Sequence, residues 1–144
     1  MFGFMKKLKG TFANLASTSV KAENKDLMEA MVAGACLVAY ADGELSSEEV
    51  STVRSIVGSS DQLKVFGDEP MQLFDGYCDK MEASARMGKL DLLKEVSDAQ
   101  GDEKPRVLIM AIEVADADNN IDDDEMAMLK TIAGKLSLNL ADFI

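Results

Sequence analysis

Two short acidic stretches hold the residues whose types and spacing could do chemistry. "ADGELSSEE" occupies residues 41–49 and "ADNNIDDDE" occupies residues 117–125. Their carboxylates and backbone carbonyls are hard oxygen donors, the ligand type that calcium and magnesium select. In the first stretch the candidate metal ligands are Asp42, the Glu44 carbonyl, Glu48 and Glu49. In the second they are Asp118, the Asn120 carbonyl, Asp122, Asp124 and Glu125. Carboxylates packed this closely repel one another, and a divalent cation would relieve that repulsion.

The order Asp42, Gly43, Glu44, Leu45, Glu49 matches the second half of an EF-hand loop: side-chain ligand, glycine bend, carbonyl, apolar anchor, bidentate glutamate. Asp118, Asn119, Asn120, Ile121 and Glu125 repeat that order. The first half of the motif is missing. Its two leading ligand positions fall at Val38 and Tyr40, and at Val114 and Asp116, and only Asp116 is a carboxylate. Neither stretch is an EF-hand. Half a loop offers roughly four oxygens, whereas calcium takes about six to eight.

The same residues also have work to do without any ion. Gly43 can take the left-handed conformation that ends a helix, and Asn119 is the next best residue for it. Ser46 with Glu49, and Asp122 with Glu125, have the spacing of a capping box. Leu45 and Ile121 would anchor each turn to the core. Spacing alone supports capped helix starts at least as well as ion binding.

Other chemistries have little to build on. The 144 residues contain no histidine, the usual general base near neutral pH and the commonest transition-metal ligand. The two cysteines, Cys36 and Cys78, lack zinc spacing and are too few for a disulfide framework; they read as buried thiols. No nucleophile and base can be paired, so an enzyme is the least supported class. Residues 1–25 carry five lysines and one glutamate, while the rest of the chain carries 25 acids and 10 bases. Such an acidic body repels nucleic acid and attracts cations or basic surfaces. There is no basic patch with interleaved aromatics, so a nucleic-acid partner is not expected.

The elements that must position these residues are helical throughout. Phe4, Leu8, Phe12 and Leu15 give residues 1–25 a basic amphipathic character, suited to docking on the domain or to peripheral membrane contact through residues 1–15. That start lacks the continuous apolar core and the cleavage site of a signal peptide. Asn24 is the expected N-cap of a helix running to about Ala41, whose middle, "AMVAGACLVAYA", is apolar all round and so marks a central buried helix. At twelve residues, Ala30 to Ala41 is too short to span a membrane, which takes about 20. Ala33, Gly34 and Ala35 would let another helix come close. Further apolar faces are Val50, Val53, Ile56 and Val57; Met71, Phe74, Tyr77, Cys78 and Met81; Leu90, Leu93 and Val96; and Met126, Leu129, Ile132 and Ala133. Pro70 and Pro105 mark helix starts. Most of the ten methionines fall at helical spacing and read as core rather than as an adaptable groove.

A shift of 76 residues overlays the two halves. Ala41-Asp42 falls on Ala117-Asp118, Leu45 on Ile121, Glu49 on Glu125, Val53 on Leu129, Arg54 on Lys130 and Gly58 on Gly134. The expected architecture is therefore all-α: a single acidic domain over 26–144, with pseudo-repeats at about 27–60 and 103–136. Its two repeated hairpins would bury their apolar first helices against each other.

At this point the chain resembles the tellurite-resistance TerB family. The resemblance is carried by "DGELSSEE" (42–49), "DNNIDDDE" (118–125), "SSDQLKVF" (59–66), "FGFMKKLKG" (2–10) and the closing "ADF" (141–143). It implies a pseudo-twofold-symmetric bundle of about seven helices with a divalent-metal site on a strongly acidic surface. It carries a metal role over to Asp42, Glu48 and Glu49, and to Asp118, Asp122, Asp124 and Glu125. It also implies a cytoplasmic, non-catalytic binding or scaffold protein of stress and phage resistance, partnering the membrane protein TerC at the inner face of the membrane. Asn119 departs from the family's usual glycine. Together these readings favour a calcium-binding protein, with magnesium or another hard divalent cation also suited. The competing reading is a metal-independent acidic module that binds a basic or membrane-associated partner.

Overall fold

The computed structural model describes residues 24–144, and every element in it is helical. Six α-helices follow one another: α1 (Lys25–Ala39), α2 (Ser47–Ser59), α3 (Glu69–Ala83), α4 (Ala85–Ser97), α5 (Glu103–Ala115) and α6 (Asp123–Lys135). Short 3-10 turns sit at Lys64–Phe66 and Leu140–Asp142. The expected all-α class is met, with six α-helices among the described residues against the seven or so anticipated. The amphipathic segment expected at 1–25 lies almost wholly outside the described residues.

The run that is apolar all round becomes the central helix. From Leu27 to Tyr40 every residue of α1 and its cap is buried except Glu29, which is half-buried. Such a helix needs neighbours on all sides, and α2, α3, α4, α5 and α6 all pack on it, α5 most extensively. The two apolar first helices of the repeat therefore do meet at the core. Gly34 lies at that contact, where a Cβ would meet Val107 Cγ1 at 3.6 Å and Ala111 Cβ at 3.8 Å, ordinary packing distances.

Helix boundaries follow the local signals closely but not fully. Asn24 holds the cap position of α1 without a side-chain hydrogen bond. The helix stops at Ala39 rather than Ala41, because Ala41 N–H turns to the Val38 carbonyl and Gly43 N–H to Tyr40. Pro70 and Pro105 lie in the first turns of α3 and α5, where a missing N–H costs nothing.

One face differs from expectation. Leu90 is exposed at 62%, while Leu92, Leu93 and Val96 are buried. The orientation of α4 is set by Gly88, where a Cβ would stand 3.0 Å from the Lys80 carbonyl and the Met81 Cα of α3. With Gly88 turned inward, positions four and eight residues on follow it inward, and Leu90 points to solvent. The other faces hold: Val53, Val57, Phe74, Tyr77, Met81, Leu129, Ile132 and Ala133 are buried, with Val50, Ile56, Met71, Cys78 and Met126 at the core's margin.

Candidate functional site

Each acidic turn is built by the end of one buried helix and the start of the next. After α1, Gly43 adopts φ +90°, and its counterpart after α5, Asn119, adopts φ +64°. Both lie in the left-handed region, which glycine and then asparagine enter most readily. The reversal brings the preceding aspartate over the turn. Asp42 Oδ1 accepts from Glu44 N–H at 3.0 Å, and Asp118 Oδ1 accepts from Asn120 N–H at 3.1 Å. The repeat expected from sequence is thus a repeat of backbone geometry and of hydrogen bonding.

The caps match as well. Ser46 Oγ accepts from Glu49 N–H at 3.1 Å, while Glu49 Oε1 accepts from Ser46 N–H at 3.2 Å. Asp122 Oδ1 accepts from Glu125 N–H at 2.8 Å, while Glu125 Oε1 accepts from Asp122 N–H at 3.0 Å. Both capping boxes are complete. Glu48 and Glu49 open α2, and Asp123, Asp124 and Glu125 open α6, so acids face the positive ends of both helix dipoles.

The electrostatics of the two turns are not identical. Glu125 is half-buried, and burial pushes its carboxyl above the ordinary value of 4.5. Hydrogen bonding to the Asp122 backbone works against that shift, and the neighbouring charges of Asp122 and Asp118 add to it.

Asp42, Glu44, Glu48, Asp118, Asn120, Asp122 and Asp124 are all exposed, and Glu49 with them. Among the described residues no three acidic or thiol side chains converge where they could hold a metal ion. Glu49 and Glu125, the glutamates expected to close on an ion, each hold a capping hydrogen bond instead. As folded, these residues do not form a ready-made calcium cage.

What the tertiary structure does bring together is α2 and the start of the second acidic stretch, across a groove. An open groove of about 490 Å³ lies between α2 and α5, lined by Ser51, Thr52, Ser55, Ile56, Glu113 and Ala117. Ala117 is the first residue of the second acidic stretch. Glu48 stands one helical turn before Thr52, whose hydroxyl donates to the Glu48 carbonyl at 3.0 Å. The start of the second acidic stretch therefore borders the same groove as α2, the helix into which the first stretch leads. Glu113 was not singled out by sequence, since it is one polar position on a mostly apolar helix.

Fold and site define a class: an acidic all-helical domain made from duplicated helix–turn–helix units, with exposed carboxylates gathered at the turns. The family model for tellurite resistance protein TerB matches residues 28–144. The chain belongs to that family. No curated protein and no solved structure matches it. Among the described residues no helix is long and apolar enough to cross a membrane.

Proposed function

We propose that the chain is a non-catalytic binding component of the tellurite-resistance system, and that its two acidic turns and the groove between α2 and α5 bind a basic segment of a partner. One observation carries this reading: α2 and the first residue of the second acidic stretch line a groove that holds a carboxylate, Glu113, beside three hydroxyl-bearing residues. A lysine or arginine entering there meets Glu113 and the hydroxyls. The resemblance noted above makes a TerC-like membrane protein the natural bearer of such a segment.

The test is fluorescence anisotropy with a labelled lysine- and arginine-rich peptide at low salt. Binding is expected to weaken as salt rises, and to weaken in Glu113→Gln and Glu48→Gln. Peptide that fails to bind at low salt, or binds both variants as well as the parent, rules this reading out.

Calcium binding stands as a second reading, supported by the repeat that sets Asp42 and Glu49 against Asp118 and Glu125 in two matching turns. Holding an ion would require the turns to reorganise and recruit Glu48 or Asp124. Calorimetric titration of chelator-treated protein with calcium decides it. Asp124→Asn and Glu48→Gln are the informative variants, because Glu49→Ala and Glu125→Ala also remove a cap. No heat at millimolar calcium rejects this reading.

A further inference from the structure

One ion pair and one hydrogen bond between chain-distant residues show that α1 and α3 lie side by side and run in the same direction. Near their starts Lys25 Nζ meets Glu69 Oε1 at 3.4 Å, and near their ends the Tyr40 hydroxyl donates to Glu82 Oε1 at 2.7 Å. The partners are separated by 44 and 42 positions, so residues at that offset face each other along the contact. Cys36 and Cys78 have that offset and sit one helical turn before Tyr40 and Glu82. Both are free thiols; Cys36 is fully buried and Cys78 is half-buried. The two thiols lie close enough to perturb each other's ionisation.

We propose that Cys36 and Cys78 form a reversible dithiol–disulfide site that exchanges with small disulfides of the oxidised-glutathione type, and that its closure fastens α1 to α3. Half-buried Cys78 is the residue that meets the small disulfide. The Cys36 thiol beside it holds the Cys78 thiol below its ordinary value, so Cys78 ionises first. Its thiolate attacks one sulfur of the small disulfide, that S–S bond breaks, and one small thiolate departs and takes a proton from water. Cys36 then attacks the Cys78 sulfur of the mixed disulfide, passing its proton to the second departing thiolate. Two protein thiols are oxidised, and one small disulfide is reduced to two thiols. Cys36 needs no access to solvent, because the sulfur it attacks is already its neighbour.

The location gives the bond a consequence. Cys36 accepts the N–H of Tyr40, the residue that caps α1 and begins the reversal into the first acidic turn. Fixing Cys36 to α3 therefore fixes the end of the helix that presents Asp42 and Glu44.

The test treats the full chain with oxidised glutathione, then quenches with a thiol alkylator under denaturing conditions and maps peptides by mass spectrometry. Alkylatable thiols are expected to fall from two to none, with the Cys36 and Cys78 peptides linked within one chain, and a reductant should restore both. Cys36→Ser should instead trap glutathione on Cys78, while Cys78→Ser should leave Cys36 unmodified. Circular dichroism checks that each variant is folded. Two alkylatable thiols after treatment of the parent chain overturn the proposal, as does a product linked only between chains. A folded Cys36→Ser variant that carries no adduct at Cys78 overturns the assigned order.

Discussion

Asp122 and Ser46 occupy equivalent caps, yet they differ in charge, and that difference is measurable. Ser46→Ala should cost about 1 kcal/mol in urea denaturation, the usual loss for an N-cap. Asp122→Ala loses the same bond and also a carboxylate at the positive end of α6, worth a further 0.3–1 kcal/mol or so at low ionic strength. The excess should shrink as salt is added. The residue scale also sets a pH dependence. The Glu29 carboxyl of α1 is held above its ordinary value of 4.5 by burial first, then by the charges of Glu95 and Asp26, partly offset by Lys25. The native state thus binds this proton more tightly than the unfolded chain does, so its contribution to stability is fully present below 4.5 and is lost as pH rises through the raised folded value. Glu29→Gln should raise Tm at pH 7 and flatten the dependence on its alkaline side. A Tm for Glu29→Gln equal to or below that of the parent at pH 7 contradicts this assignment.

At the scale of the element, two glycines in helix contacts play opposite parts. Gly34 sits where α5 crosses α1, and a methyl there would make ordinary contacts of 3.6–3.8 Å. Gly34→Ala should be neutral or stabilising by up to about 1 kcal/mol, since alanine is the better helix former. Gly88 is different: a Cβ would stand 2.9 Å from Met81 Sδ and 3.0 Å from backbone atoms of Lys80 and Met81. Gly88→Ala should cost about 1–3 kcal/mol, the usual range for overpacking, read as a lowered urea midpoint at unchanged slope. Sequence pointed to Gly34 because small residues flank it within an apolar run. It did not point to Gly88, whose importance comes from the α3 backbone folding back across it. The turns were more legible: Gly43, Asn119 and both capping boxes could be placed from spacing, because a turn's geometry is decided within a few residues.

For the whole molecule, the distribution of burial decides which leucines matter. Leu92 has no exposed surface, and Leu92→Ala should cost about 2–5 kcal/mol. Leu90→Ala, two residues earlier and exposed, should shift stability by no more than about 0.5 kcal/mol. Thermal melts of the two variants side by side give the comparison. By itself the sequence determined the all-helical class, the 76-residue repeat, the central burial of α1 and the acidic turns. Those features rest on periodicity, apolar content and local turn chemistry, which are written into short windows of chain. Only the tertiary structure decided that Gly88 turns Leu90 outward, that Glu113 shares a groove with α2 and Ala117, and that Cys36 faces Cys78. Each of these depends on how one helix is rotated and slid against another. That is set by the joint packing of the helices, and no single segment records it.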